Sequence, residues 1–264
     1  MQKQKMFDQI TGWQLTALVA VTALVYPLVL LLPQNIVIAL AEEDSIIENA
    51  GAVAYLTASV LSVAAYVSSE HDCNQLLARR TKRNVYFLLL AVFFFICFGE
   101  EISWGQRIFG WSTPEGWSDL NAQSETNFHN LWRFQSINPD GSTKSQLELF
   151  LYPGRLITLF WATYCVAVPI VYIYGARSRD FLTMSGLPIP SLAMAPLFIT
   201  SYLSAKLFKD LAPDWAVKTL SELQEASFAA LFALLALLFL LGVREDASSS
   251  ARRREGQRAM GQLR

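Results

Sequence analysis

The chain has 264 residues, 53% hydrophobic and 16% charged, with a formal net charge of −1. A soluble domain carries about a quarter charged residues. This composition therefore excludes a disordered chain and a disulfide-stapled secreted module, and the near-zero charge supplies no field to attract nucleic acid. What remains is a membrane protein of the all-α class, a polytopic bundle of transmembrane helices.

A membrane span needs about 20 mostly apolar residues. Six stretches qualify in chain order: 13–32, 46–67, a third from residue 85 through at least 99, 156–174, 187–207 and 226–243. The first ends at Pro33. Lys3 and Lys5 before it and Ala39-Leu40-Ala41 after it resemble the parts of a cleavable signal. The apolar run is too long for one, so the expectation is a retained helix. The fifth stretch carries Pro188, Pro190 and Pro196 in its first half, which weakens its hydrogen-bond ladder.

Lysine and arginine placement sets the expected orientation. The N-terminus, the second-to-third loop, the fourth-to-fifth loop and the tail hold fourteen of the 21 basic residues. The first-to-second loop holds none and carries Glu42, Glu43, Asp44 and Glu48 instead. Both termini are therefore expected in the cytoplasm and the odd-numbered loops outside, as in a plasma (inner) membrane protein. Residues 1–243 read as the transmembrane domain, and residues 244–264 as a disordered basic tail. Cys73, Cys97 and Cys165 have no C-x-x-C spacing and suggest no disulfide framework or cysteine zinc site.

Two acids, Glu100 and Glu101, directly follow the third apolar run. An acidic residue at the centre of a span costs about 3 kcal/mol, so intramembrane acids default to a functional reading. If the helix continues toward Phe109, Glu100 shares a stripe with Trp104 and Arg107, and Glu101 with Gly105 and Ile108. The bland alternatives are an interfacial pair on a helix ending at Gly99, or an ion pair with Arg107 or Arg155. The next loop, about 109–147, is long and rich in Trp, which suits a membrane-interface belt. Within it, residues 121–134 are expected to form an interfacial helix capping the outer end of the bundle. On such a helix Glu125 and His129 are neighbours four residues apart, with Asn121 on the same side. Topology then gathers Glu48, Glu100, Glu101, Glu125, His129, Glu148 and Arg155 toward one face. The candidate catalytic residues are Glu100, Glu101 and His129. The candidate binding residues are Arg107, Glu125, Arg155, Asn121, Gln123 and Glu48. A divalent metal, if one binds, would use Glu101, Glu125 and His129. With His71 on the opposite side, a three-histidine metal site is excluded.

The string Gly99-Glu-Glu-Ile-Ser-Trp-Gly-Gln-Arg-Ile-Phe-Gly-Trp111, then Thr113-Pro-Glu, then Asn121-x-Gln-x-Glu-x-Asn-x-His-Asn130 resembles a signature of polytopic bacterial membrane proteins of unassigned activity. The acidic Glu43-Asp44 with Glu48 is similar to those proteins as well. Glu-Glu on one helix with a later Phe-His also resembles the glutamic intramembrane proteases of the CAAX-processing type. That resemblance implies hydrolysis by Glu and His. The match is partial: Gly105 stands where that family places Arg, Phe128-His129 lacks the family's spacing, and no second outward His exists.

Three functions compete. The first is a membrane-embedded hydrolase or lipid-modifying enzyme working at the outer face. The second is a non-catalytic scaffold that binds lipid or a partner. The third is an ion-coupled transporter, against which stands the clustering of acids at one face. Membrane lipid is the expected partner, and nucleic acid is not. No phosphate loop, nucleophile elbow or dinucleotide fingerprint is present.

Overall fold

The computed structural model describes residues 10–42, 45–69, 83–145 and 148–262, without the side chains of Arg107 and of 250–262. Among these residues the chain is all-helical. Its elements are α1 (Gly12–Leu30), α2 (Gln34–Ala39), α3 (Ile46–Ser68), α4 (Val85–Glu101), α5 (Gln106–Phe109), α6 (Pro153–Trp161), α7 (Val168–Tyr174), α8 (Ala176–Ser185), α9 (Met194–Leu211) and α10 (Asp214–Gln262). A π-helical turn, Ala162–Ala167, joins α6 to α7 without a break. It lies just before Pro169, which has no N–H to close an α turn.

Four segments are long and apolar enough to cross a membrane: Gly12–Leu30, Ile46–Ser68, Pro153–Tyr174 and Asp214–Ser249. Their outward surfaces expose Val21, Leu24 and Leu28 on α1 and Val53, Val60 and Val63 on α3. Such a surface is compatible with lipid contact and costly in water. The expected third and fifth spans coincide with α4 and α9. However, α4 has 17 residues, and α9 ends in a segment carrying Lys206, Lys209 and Asp210. Length and composition thus mark four spans where the sequence suggests six.

The fold centres on α10. Its Phe232 ring meets Tyr55 of α3 at 6.3 Å, Phe94 of α4 at 5.3 Å, Phe160 of α6 at 5.6 Å and Phe198 of α9 at 5.0 Å. One buried ring therefore touches four other helices, and aromatic pairs at these separations add to the burial itself. α3 packs along both α4 and α10. At Gly51 an added Cβ would stand 3.4 Å from the Ala226 Cα, so small residues set the α3–α10 approach. Side-chain hydrogen bonds tie the outer helices on: Tyr26 to Ser201 at 2.7 Å, and Thr219 to the Val37 carbonyl at 2.8 Å.

Three helix limits differ from the sequence expectation. α4 stops at Glu101 and does not continue to Phe109. The fifth helix starts at Met194; residues 187–193 are not helical, because Pro188 and Pro190 cannot supply ladder donors. That irregular stretch is largely buried, and the Pro188 carbonyl accepts from the Tyr164 hydroxyl at 2.8 Å. The last helix begins at Asp214, three turns before the expected start of its span. It runs on to Gln262. The acids Glu43 and Asp44, the residues His71 and Cys73, and the basic residues Arg79, Arg80 and Lys82 lie outside the described residues.

Candidate functional site

The end of α4 is built around a reversal of the chain. Ser103, Trp104 and Gly105 have φ of 45°, 53° and 83°, three successive residues in the left-handed region. For residues with a Cβ this costs on the order of 1–3 kcal/mol each. The reversal folds the Trp104 indole back along α4. Gly99 makes room for it, since an added Cβ there would come within 2.8 Å of the ring. The indole Nε1 then donates to Glu100 Oε1 at 2.6 Å. Trp104 therefore meets Glu100 through a fold-back, and not along a continuous helical stripe. Arg107 falls beyond the reversal in α5, off the stripe the sequence suggested, and its side chain lies outside the description.

The second oxygen of Glu100 organises the following loop. Oε2 accepts from the Phe128 N–H at 2.7 Å and the His129 N–H at 2.8 Å, and stands 3.3 Å from His129 Nδ1. Two successive N–H groups converging on one carboxylate oxygen form a small anion-binding concavity. Residues 121–134 are not the expected helix. They are turns closed by an antiparallel bridge, Asn121 to Leu131, and end in a 3₁₀ turn, Trp132–Phe134.

The physical reason is competition from Asn, Ser and Glu side chains for backbone groups. Buried Asn121 accepts from the Gln123 and Glu125 N–H groups at 2.9 and 3.1 Å and donates to the Asn127 carbonyl at 2.9 Å. Glu125 Oε2 accepts from Ser103 Oγ and Asn127 Nδ2, both at 2.7 Å. Asn130 donates to Gln123. Gln106 ties the loop to α5, accepting from the Thr126 N–H at 2.6 Å and donating to Thr113 at 2.7 Å. The helical Glu125–His129 pairing therefore does not occur. These hydrogen bonds of Asn121, Gln123 and Glu125 hold the cap together.

Opposite Glu101 stands a residue the sequence reading passed over. Phe87 and Phe94 of α4 meet Phe239 and Phe232 of α10, with ring centroids 5.6 and 5.3 Å apart. Seven residues up one helix match seven down the other, so the helices are antiparallel with rungs two turns apart. The next rung of this ladder is Glu101 with Glu225. Where two phenyl rings would fill the space between helices, two carboxylates stand. Glu225 retains exposed surface although it lies within the bundle. Glu101 interacts electrostatically with Glu225, His129, Glu222 and Glu48. Glu48 opens α3 one turn from Gly51, and Lys209 approaches from the end of α9, held by Gln224 at 2.8 Å and sensing Glu225. Arg155 is exposed in the first turn of α6. The sequence signal for this missed wall was Glu222-x-x-Glu225, two acids on one helical face directly before the final apolar run.

His129 is 36% exposed and Glu100 14%. Burial pulls the imidazole pKa down. The Glu100 hydrogen bond and the charges of Glu101, Glu225 and Glu100 outweigh this and raise it above the ordinary histidine value. Tyr152, beside α6, is pushed up by burial and by Glu225 and Glu222. With Nδ1 directed at Glu100, Nε2 of His129 keeps no hydrogen-bond partner among the described residues. An imidazole oriented by a carboxylate on one nitrogen and free on the other is the arrangement of a general acid or base. The metal set proposed from sequence does not assemble. Among the described residues no three His, Cys, Asp or Glu side chains are grouped to hold an ion, and Glu125 is turned toward Ser103 and Asn127.

No protein-family model, curated protein or solved structure matches this chain.

Proposed function

We propose that this chain is a six-span membrane hydrolase with both termini in the cytoplasm and its site at the outer face. The observation that carries the reading is the 3.3 Å contact of His129 Nδ1 with Glu100, which leaves Nε2 without a hydrogen-bond partner among the described residues, in the field of Glu101 and Glu225. In this reading Glu100 is a positioning residue. Its oxygens are engaged by Trp104, by two backbone N–H groups and by His129. Glu101, across from Glu225, takes a proton from water as the water oxygen attacks the carbonyl carbon of an ester or amide. Protonated His129 gives its Nε2 proton to the leaving oxygen or nitrogen as that bond breaks, and the proton left on Glu101 then restores the imidazolium. The raised pKa favours the protonated, proton-donating form of His129 relative to an ordinary histidine. The substrate class is a lipid-linked or peptide ester or amide that reaches the site from the outer leaflet.

The test is incubation of the purified chain in its native lipid with ¹⁸O-water, followed by mass spectrometry. The wild type should place ¹⁸O in newly formed carboxylates. His129→Ala and Glu101→Gln should abolish that label while still folding, each with a single cooperative thermal transition. The same null result for the wild type would overturn the reading. The orientation has its own test. In a cysteine-free background, Ser118→Cys should react with an impermeant thiol reagent on intact cells, and Ser249→Cys should not.

The scaffold reading is favoured by one specific observation: Asn121, Gln123 and Glu125 hydrogen-bond to other residues of the cap. On that reading, substitutions at Glu101 and His129 lower thermal stability in proportion to any loss of activity.

A further inference from the structure

Beyond the acidic site lies a second concavity of about 470 Å³, walled by Trp132, Pro139 and Leu151 and carrying Arg133, Lys144 and Glu148. It belongs to the loop between the cap and α6. The Lys144 ammonium donates to the Trp132 and Arg133 carbonyls, fixing that wall and keeping its charge in the groove. Glu148 is turned back on its own chain, accepting from the Ser145 N–H at 2.8 Å and hydroxyl at 2.6 Å. The Arg133 side chain is exposed, and its guanidinium has no hydrogen bond or ion pair among the described residues. The groove therefore offers two cations, one of them unpaired, against one engaged carboxylate.

We infer that this groove seats the phosphate of an anionic phospholipid, with the acyl chains running down the outside of α6. Guanidinium is the side chain best matched to phosphate, through two parallel N–H donors. A free phosphate would need only the charges, whereas this groove has an apolar wall continuing downward. Phe150 and Leu151 are exposed just before α6 begins at Pro153, and Leu156 and Leu159 expose the next two turns. Tryptophan beside a cation at the first turn of an apolar helix marks the level of lipid headgroups. The groove also adjoins the candidate site, since Trp132 lies three residues after His129 and Gln135 donates to the His129 carbonyl at 3.0 Å. The inference rests on the bundle standing in a bilayer. It does not depend on chemistry at His129.

The experiment is native mass spectrometry of the full chain in a neutral detergent, titrated separately with dioleoyl phosphatidylglycerol, dioleoyl glycerol and inorganic phosphate. Phosphatidylglycerol should bind and dioleoyl glycerol should not. Arg133→Gln should weaken phosphatidylglycerol about tenfold, the loss of one charge-assisted contact. It should leave the melting temperature unchanged, because the Arg133 side chain makes no bond to the other described residues. A tenfold excess of inorganic phosphate should not displace the lipid. Equal binding by Arg133→Gln, or by dioleoyl glycerol, would overturn the inference. Displacement by inorganic phosphate would make this a free-anion site and overturn the lipid assignment. Persistence of ¹⁸O labelling in Arg133→Gln would show that failure here is separate from failure of the hydrolase reading.

Discussion

The bundle core and the outer cap are held by opposite means. Around Phe232 the helices meet through aromatic rings, with helix ladders satisfying the backbone. In residues 99–135 there is little regular structure, and the backbone groups are met by Asn, Gln, Ser and Glu side chains gathered on Glu100 and Asn121. The core is tolerant of geometry and sensitive to volume. The cap is the reverse, because one lost acceptor strands several donors. The cap style of construction leaves a titratable group, His129, partly open and fixed in direction.

The largest expected effect comes from the core. Phe232→Ala removes a ring shared by four neighbouring helices and should cost about 3–5 kcal/mol by the usual penalty for a buried aromatic. Chemical denaturation in detergent would measure it, and the whole bundle should lose stability together. Glu100→Ala is next. It should cost about 1–3 kcal/mol, the penalty for donors left unsatisfied. Hydrogen exchange should accelerate in residues 121–131 and stay unchanged along α10. Uniform acceleration would erase the contrast between the two regions.

A smaller effect is pH-linked. The His129 pKa is raised in the folded protein, so its contribution to stability is complete below the ordinary value of about 6.5 and fades as pH rises through the folded value. Melting temperature should therefore fall more steeply with rising pH across that window in the wild type than in His129→Ala. The smallest effect is Gly99→Ala. The added methyl meets the Trp104 ring and should loosen its bond to Glu100. Quenching of Trp104 by acrylamide should increase while the core is unaffected.

The contrast also explains what could be read from the sequence. Apolar length reveals helices, and the basic residues suggest an orientation, because both signals are local. The first, second and fourth stretches correspond to α1, α3 and Pro153–Tyr174 within a few residues. The cap was illegible because its conformation rests on reciprocal side-chain bonds. Asn121, Glu125 and His129 read equally well as one face of a helix. The break at Ser103–Gly105 has a glycine in third place, but its first two residues carry side chains that ordinarily avoid positive φ. Glu225 was legible in principle. Phe239, Phe232 and Glu225 repeat at seven residues, as do Phe87, Phe94 and Glu101, but the pairing of those two series needed the antiparallel packing of α4 and α10.

The central claim is that His129 is held by Glu100 within the field of Glu101 and Glu225. The chain has two histidines, so selective ¹⁵N-histidine labelling with His71→Ala leaves a single imidazole to titrate by NMR. The account predicts a His129 pKa above about 6.5. Glu100→Gln should lower it most, and Glu225→Gln should lower it by a smaller amount. A His129 that titrates at or below the ordinary value and is indifferent to both substitutions would contradict the account.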